Sequence, residues 1–198
     1  MDSKTDALGS KIGMWLFLYT EIMLFGGLFI LYAAYYKRYM ADFVLAGKEL
    51  NLVFGTANTV ILLVSSFAVA ASITAMRQDS RKAAVRFLML ALVLGGVFLV
   101  NKYMEWGHKI ELGIYPNSPA LEGSPHGRIL FFSLYYIITG LHGIHIIIGM
   151  TLLAVSMVMI LKGRVTRTRY VLLENAGLYW HLVDLIWIFI FPLFYLIL

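Results

Sequence analysis

Five ionisable side chains lie inside long apolar stretches of the chain, and they are the first candidates for chemistry. They are Glu21, His142, His145, His181 and Asp184. A charge at the centre of a bilayer costs at least ~2.5 kcal/mol on insertion scales, so such residues face protein or a water-filled cavity. Together, carboxylates and imidazoles can relay protons, hold a metal or haem, or join helices.

The C-terminal stretch ENAGLYWHLVDLIWIFIFPLFYLIL holds the densest group of these residues. The 23 residues from Ala176 to Leu198 are enough, at ~1.5 Å per residue, to cross a hydrocarbon core of ~30 Å. Trp180, Asp184 and Trp187 recur at the i, i+4, i+7 spacing of one helix face, and His181 is within a turn of Asp184. This pattern predicts a membrane helix whose polar and aromatic face turns towards protein.

A second motif, TGLHGIHIIIGM, lies in the preceding apolar stretch. His142 and His145 are three residues apart on one helix face. Thr139 and Gly143 form a small-xxx-small pair, which lets a neighbouring helix approach closely. We therefore predict that Gly143, together with Trp180 and Trp187, belongs to a helix-packing signature.

Composition excludes most soluble classes. The chain is 61% hydrophobic and 14% charged, whereas a soluble domain carries about a quarter charged residues. The net charge of +5 is divided among the connections between apolar stretches, so binding of nucleic acid has little support. The absence of cysteine excludes disulfides, thiolate-bound zinc or iron–sulfur clusters, and thiolate-bridged copper.

The elements that must hold these residues are five membrane helices, so the fold class is an all-α polytopic membrane protein. We predict one membrane domain over 1–198, with transmembrane helices over 12–36, 52–76, 83–106, 129–161 and 171–198. The third is the least regular, and we expect Lys102 and Glu105 near its end to reach an interface by snorkelling. The proline-containing connection 107–128 should lie outside the bilayer.

Basic residues predict the orientation, because ten lie on the side of the N-terminus and six on the other. The ten are Lys4, Lys11, Arg77, Arg81, Lys82, Arg86, Lys162, Arg164, Arg167 and Arg169. The six are Lys37, Arg38, Lys48, Lys102, Lys109 and Arg128. The positive-inside rule then places the N-terminus in the cytoplasm. Counted from each helix entry, Glu21, His142 and His181 lie ~10 to 15 Å from the inner surface, which predicts a buried polar cluster.

Three functions remain open for this cluster. Haem or metal ligation would use His142, His145 and His181, but two b-type haems need four histidines and the HxxH pair is poorly placed around one haem. A proton-relay transporter would use Glu21 and Asp184 with the histidines, although no inverted halves are visible. The third function is packing, in which buried polar groups attach the subunit to a larger partner.

Four motifs carry a family resemblance. They are WLFLYTEIMLFGGLF in the first helix, Asn58-Thr59 in the second, GLHGIHIIIGM in the fourth and YWHLVDLIWIFIFPLFYL in the fifth. From Ile12 to Leu198 the chain resembles subunit III of the haem–copper terminal oxidases, the cytochrome c oxidase subunit 3 family, in a five-helix form. The W-H-x-x-D-x-x-W spacing is the most specific feature, and H-G-x-H adds to it.

This resemblance implies a subunit without haem, metal or catalytic centre of its own, in a bacterial plasma membrane. Haems and copper are expected in partner subunits; the chain would pack on subunit I, with subunit II in the same complex. It would bind phospholipid and support proton uptake and resistance to turnover-linked inactivation. Glu21 matches the intramembrane carboxylate of the family. The residues that match its helix signatures are His142, Gly143, His145, Trp180, His181, Asp184 and Trp187.

The chain also departs from the longer family form, which has seven helices. It begins at the equivalent of the third helix, so a lipid cleft formed with the first two is not carried over. Five-helix subunits also occur in quinol oxidases and beside nitric oxide reductases. Glu21, where the familiar quinol oxidase form has aspartate, favours a cytochrome c oxidase.

Overall fold

The structure is a computed structural model that describes residues 3–196 except 117, 120 and 122. Six helices follow one another in this part of the chain. They are α1 (Ser3–Arg38), α2 (Met40–Gly47), α3 (Leu52–Arg77), α4 (Arg81–Glu111), α5 (His126–Leu161) and α6 (Val171–Tyr195).

Five of these helices are long and apolar enough to cross a membrane: α1 from Leu8, and α3 to α6. The prediction of an all-α chain with five candidate spans is confirmed. Helices α1, α3, α4 and α5 begin or end somewhat beyond the predicted ranges, and α4 continues to Glu111, into the predicted connection 107–128. The helix predicted to reach Leu198 ends at Tyr195, and residues 197 and 198 lie outside the described residues.

The short helix α2 was not predicted; it lies in the segment between the predicted membrane helices 12–36 and 52–76. Its buried residues Phe43, Ala46 and Gly47 recur at helical spacing and form one apolar face. Phe43 packs edge-on against Phe131 of α5 and Tyr32 of α1, with ring centroids 5.5 and 5.4 Å away. The link therefore folds back onto one end of the bundle.

Four helices form a closed bundle, because α3 packs on α4, α4 on α5, α5 on α6 and α6 on α3. Helix α1 lies outside this bundle, against α5 and α6. Within the most apolar 18-residue segment of each helix, 56% of the α6 segment is buried inside the protein but only 11% of the α1 segment. Polar residues of α6 are consequently interior, whereas those of α1 are interior only where they meet α5 or α6.

Candidate functional site

Glu21 of α1 and His145 of α5 form a direct pair. Oε2 of Glu21 lies 2.8 Å from Nε2 of His145, and their side chains are 12% and 9% exposed. The other ring nitrogen, Nδ1, lies 2.7 Å from the carbonyl oxygen of Leu141. Because a carbonyl only accepts, Nδ1 must carry a proton. The Glu21–His145 hydrogen bond therefore contains one proton, held either by the carboxyl or by an imidazolium.

His142 lies one turn from His145 but in different surroundings. It is fully buried, with its ring 5.6 Å from that of Phe98 and 5.2 Å from that of Trp187. Neither ring nitrogen has a hydrogen-bond partner among the described residues. The two histidines of the H-G-x-H motif thus face different groups, His145 a carboxyl and His142 an aromatic pocket.

His181 and Asp184 lie on α6 against α3. Nδ1 of His181 is 2.7 Å from the hydroxyl oxygen of Ser66, and the Asp184 carboxyl is also close to Ser66. Asp184 is 5% exposed, and its Oδ1 has no hydrogen-bond partner in the described part of the chain. The five predicted residues therefore occupy three separate positions: Glu21 with His145, His142 alone, and His181 with Asp184 around Ser66.

This separation bears on metal or haem ligation. Within residues 3–196, gaps excepted, no three His, Asp or Glu side chains converge on one point. His142 and His145 are directed at different neighbours, so they do not face a common ligand. That the chain carries no cofactor stays a prediction.

The two tryptophans of the α6 motif fill the centre of the bundle. The indole of Trp180 lies between Gly95 of α4 and Gly149 of α5, and a Cβ added at either glycine would be 2.9 Å from the ring. Trp187 packs against Phe98 at 4.9 Å, and its Nε1 donates to Thr59 at 3.0 Å. The motif therefore joins α6 to three other helices.

Gly143 makes no close contact with another helix among the described residues of this chain. A Cβ at Gly143 would meet nothing within 4 Å, so this glycine faces away from the other helices. On α5, an added Cβ would be close to another part of the chain at Gly127, Gly140 and Gly149. That Gly143 belongs to a helix-packing signature stays a prediction, because its open side could only meet a partner outside this chain.

The structure contains a second polar cluster that was not predicted from the sequence. Lys102 and Glu105 of α4 do not snorkel; they are 7% and 5% exposed and lie against Tyr135 of α5 and Tyr195 of α6. Nζ of Lys102 is 3.0 Å from Glu105, 2.9 Å from the Tyr135 hydroxyl and 3.0 Å from the Tyr195 hydroxyl. Both hydroxyls also reach Oε1 of Glu105, at 2.9 and 2.7 Å.

We call these four residues the lysine–tyrosine cluster. All three donors of the Lys102 ammonium group are used within it. Because α4 continues to Glu111, Lys102 and Glu105 sit inside the bundle rather than at its rim. The sequence did contain one indication of this cluster. Lys102 and Glu105 are three residues apart, which lets them form an ion pair on one helix, and the third predicted membrane helix is too short without this part of the chain.

Charged residues also close the two ends of the bundle. At the end where α1 begins, Glu174 of α6 pairs with Lys11 and Arg77, both at 2.8 Å. At the opposite end, Arg128 binds both carboxylate oxygens of Glu49 at 3.0 Å. These pairs lie where apolar runs end and water becomes accessible.

A bundle of five candidate spans with polar pairs in its interior is a multi-pass helical membrane protein. Over residues 2–197, the sequence matches the family described as cytochrome c oxidase subunit III. The chain belongs to this family, and the predicted resemblance is confirmed. It is therefore a multi-pass subunit III of a haem–copper terminal oxidase complex, which implies further subunits.

Individual relatives divide by electron donor. The cytochrome c oxidase subunit 3 of Synechocystis is 33% identical over 186 residues, which cover 93% of this chain and 74% of the relative. The quinol oxidase subunit 3 of Bacillus spizizenii is 32% identical over 187 residues, covering 93% and 85%. The cytochrome c oxidase subunit 3 of Thermostichus vulcanus is 29% identical over 190 residues, covering 94% and 86%.

Proposed function

We propose that this chain is the non-catalytic, cofactor-free subunit III of a cytochrome c oxidase in a bacterial plasma membrane. It packs directly on subunit I, with subunit II in the same complex, and it supports proton uptake and the stability of the oxygen-reducing centre. The observation that carries this proposal is the Glu21–His145 pair, at 2.8 Å between α1 and α5. Such a pair binds or releases a proton without any redox group.

A supporting role rather than a catalytic one agrees with how the polar groups are arranged. In the described residues, Glu21 pairs with His145 between α1 and α5, and Lys102 pairs with Glu105 within α4. The haems and copper would belong to partner subunits, and membrane phospholipid would fill grooves at the periphery. We further propose a cytoplasmic N-terminus, supported by the ten-to-six distribution of Lys and Arg.

Glu21 supports cytochrome c rather than quinol as the electron donor, because the familiar quinol oxidase form has aspartate there. The alternative, a quinol oxidase, is supported by the 32% identity to the Bacillus spizizenii protein. The fold itself is compatible with both alternatives.

Purification through an affinity tag on this chain tests both the supporting role in an oxidase complex and the choice of electron donor. We expect subunits I and II to copurify with their haem and copper, and oxygen consumption to be faster with reduced cytochrome c than with a quinol. Faster oxidation of quinol would assign the chain to the alternative. Recovery of the chain free of haem-bearing partners from oxidase-rich membranes would contradict the supporting role itself.

A further inference from the structure

A cleft opens at the end of the bundle where α1 and α6 begin and α3 ends. It has a volume of about 240 Å³ and is lined by four ionisable residues, Lys11, Arg77, Glu174 and His181, and by the apolar side chains of Trp15, Ile73 and Leu178. His181 is seven residues beyond Glu174 on α6, so it lies ~10 Å deeper along the helix axis. The cleft thus connects a charged mouth with an imidazole inside the membrane-spanning part of α6.

Three side chains continue inward from the cleft. His181 is half-buried, its Nδ1 lies 2.7 Å from the Ser66 hydroxyl, and the Asp184 carboxyl is also close to Ser66. Asp184 is 95% buried, with an Oδ1 that no described protein group satisfies. A buried carboxylate that lacks a full set of partners is costly, and protonation removes that cost.

We propose that Ser66, His181 and Asp184 form a reversible proton-binding site that exchanges with the N-terminal side of the membrane through this cleft. This site would add to the proposed role of the chain in proton uptake. Its effect on the oxidase complex rests on that proposed function. It concerns residues other than the Glu21–His145 pair.

The donors and acceptors are arranged in the order that proton transfer needs. If His181 carries its proton on Nδ1, that N–H donates to Ser66, and rotation of the Ser66 hydroxyl turns its O–H towards the nearby Asp184 carboxyl. A proton arriving at Nε2 forms a new N–H bond there and the Nδ1–H bond breaks. Ser66 accepts that proton and gives its own to the Asp184 carboxylate. One proton enters, no electron moves, and the reverse sequence returns the proton to the cleft.

Charged groups on neighbouring helices bias this exchange. Lys11 of α1 and Arg77 of α3 share Glu174 of α6 at the mouth, so these three residues together carry one positive charge. Behind the site, α5 presents His142 to Trp187, and α4 presents Lys102 to the same indole at 5.6 Å. Glu21 of α1 is already paired with His145.

The site does not continue to the opposite face of the membrane. Trp187, one turn beyond Asp184, is fully buried against Phe98 and His142, and its single donor is bound to Thr59. Further along lies the lysine–tyrosine cluster, in which the Lys102 donors are all used. Protons therefore enter and leave Asp184 from one side.

Infrared difference spectroscopy of the assembled oxidase complex after a pH jump tests the site. We expect the C=O stretch of a protonated carboxyl group that disappears at high pH, is absent in Asp184→Asn and is retained in Glu21→Gln. Glu21→Gln is the matched control because it removes a second intramembrane carboxyl. A pH-dependent carboxyl spectrum that is the same in Asp184→Asn as in wild type would overturn the proposal.

Ser66→Ala tests the relay even where Asp184→Asn does not assemble. Deuterium exchange at the Asp184 carboxyl should slow by about 100-fold, the lower end of what a positioned proton-transfer group contributes. In vesicles of defined orientation, exchange should follow deuterium supplied on the N-terminal side only. Unchanged exchange in Ser66→Ala, or equal exchange from both sides, would overturn the inference. Failure of the proposed function would instead appear in copurification and would leave the carboxyl band in place.

Discussion

The lysine–tyrosine cluster and the Ser66–His181–Asp184 site are two polar groups between helices, and each includes residues of α6, but they differ in how completely they are paired. In the first, the lysine has three partners and the glutamate is contacted by the lysine and two tyrosines. In the second, Oδ1 of Asp184 has no partner among the described groups. A fully paired network fixes geometry, whereas an incompletely paired one favours the uptake of a proton.

The largest expected effect comes from breaking the paired cluster. Lys102→Met should destabilise the chain by about 3–5 kcal/mol, because it leaves the Glu105 carboxylate buried without its cation. Unfolding of the purified chain in micelles, followed by circular dichroism, measures this change. The exposed Lys48 provides the control, since Lys48→Met removes the same group at the surface.

The double variant Lys102→Met/Glu105→Gln separates the cost of an unpaired buried charge from the loss of the ion pair itself. Removing both charges should restore much of the stability lost in Lys102→Met, because the main cost is an unpaired buried charge. If the double variant were less stable than the single one, the ion pair itself, and not its imbalance, would stabilise the bundle.

Gly149→Ala should have the next largest effect. The added Cβ would be 2.9 Å from the Trp180 ring, and overpacking of this kind costs typically about 1–3 kcal/mol. Gly143→Ala is a control on the same helix, because its Cβ meets nothing within 4 Å. Equal destabilisation by the two substitutions would mean that α5 is rotated differently about its axis.

Glu21→Gln should have a smaller effect on stability, about 1 kcal/mol, because the amide can donate to Nε2 of His145. If the pair supports proton delivery without being obligatory, the initial rate of oxygen reduction stays close to wild type while inactivation during turnover becomes faster. Both rates are measured per haem in the assembled complex. Immediate loss of nearly all activity in a fully metallated complex would make Glu21 part of an obligatory proton path.

Lys11→Gln should have the smallest effect. Lys11 is 46% exposed and shares Glu174 with Arg77, so its ion pair contributes about 0–1 kcal/mol and less at high salt. The same unfolding measurement at low and high salt checks this expectation. A loss well above 1 kcal/mol would show that the cleft mouth is a structural element.

The sequence predicted the features that the bilayer itself imposes. Five spans follow from the length of apolar runs, and counting residues along helices placed Glu21 near the level of the α5 histidines, where His145 meets it. The burial of Lys102 was not predictable in this way, since a lysine near a helix end can snorkel or be enclosed. Which outcome occurs depends on the tyrosines that two other helices bring to it.

The peripheral position of α1 has a consequence for how the protein is made. Glu21 leaves the ribosome 124 residues before His145, its partner in the folded chain. At a synthesis rate of ~5–20 residues per second, the Glu21 carboxyl group is made about 6 to 25 s before the His145 imidazole. During synthesis α1 must therefore rest in the membrane or against the insertion machinery with Glu21 protonated or hydrated. Although α1 is translated first, it can make its contacts with α5 and α6 only after most of the chain has been synthesised.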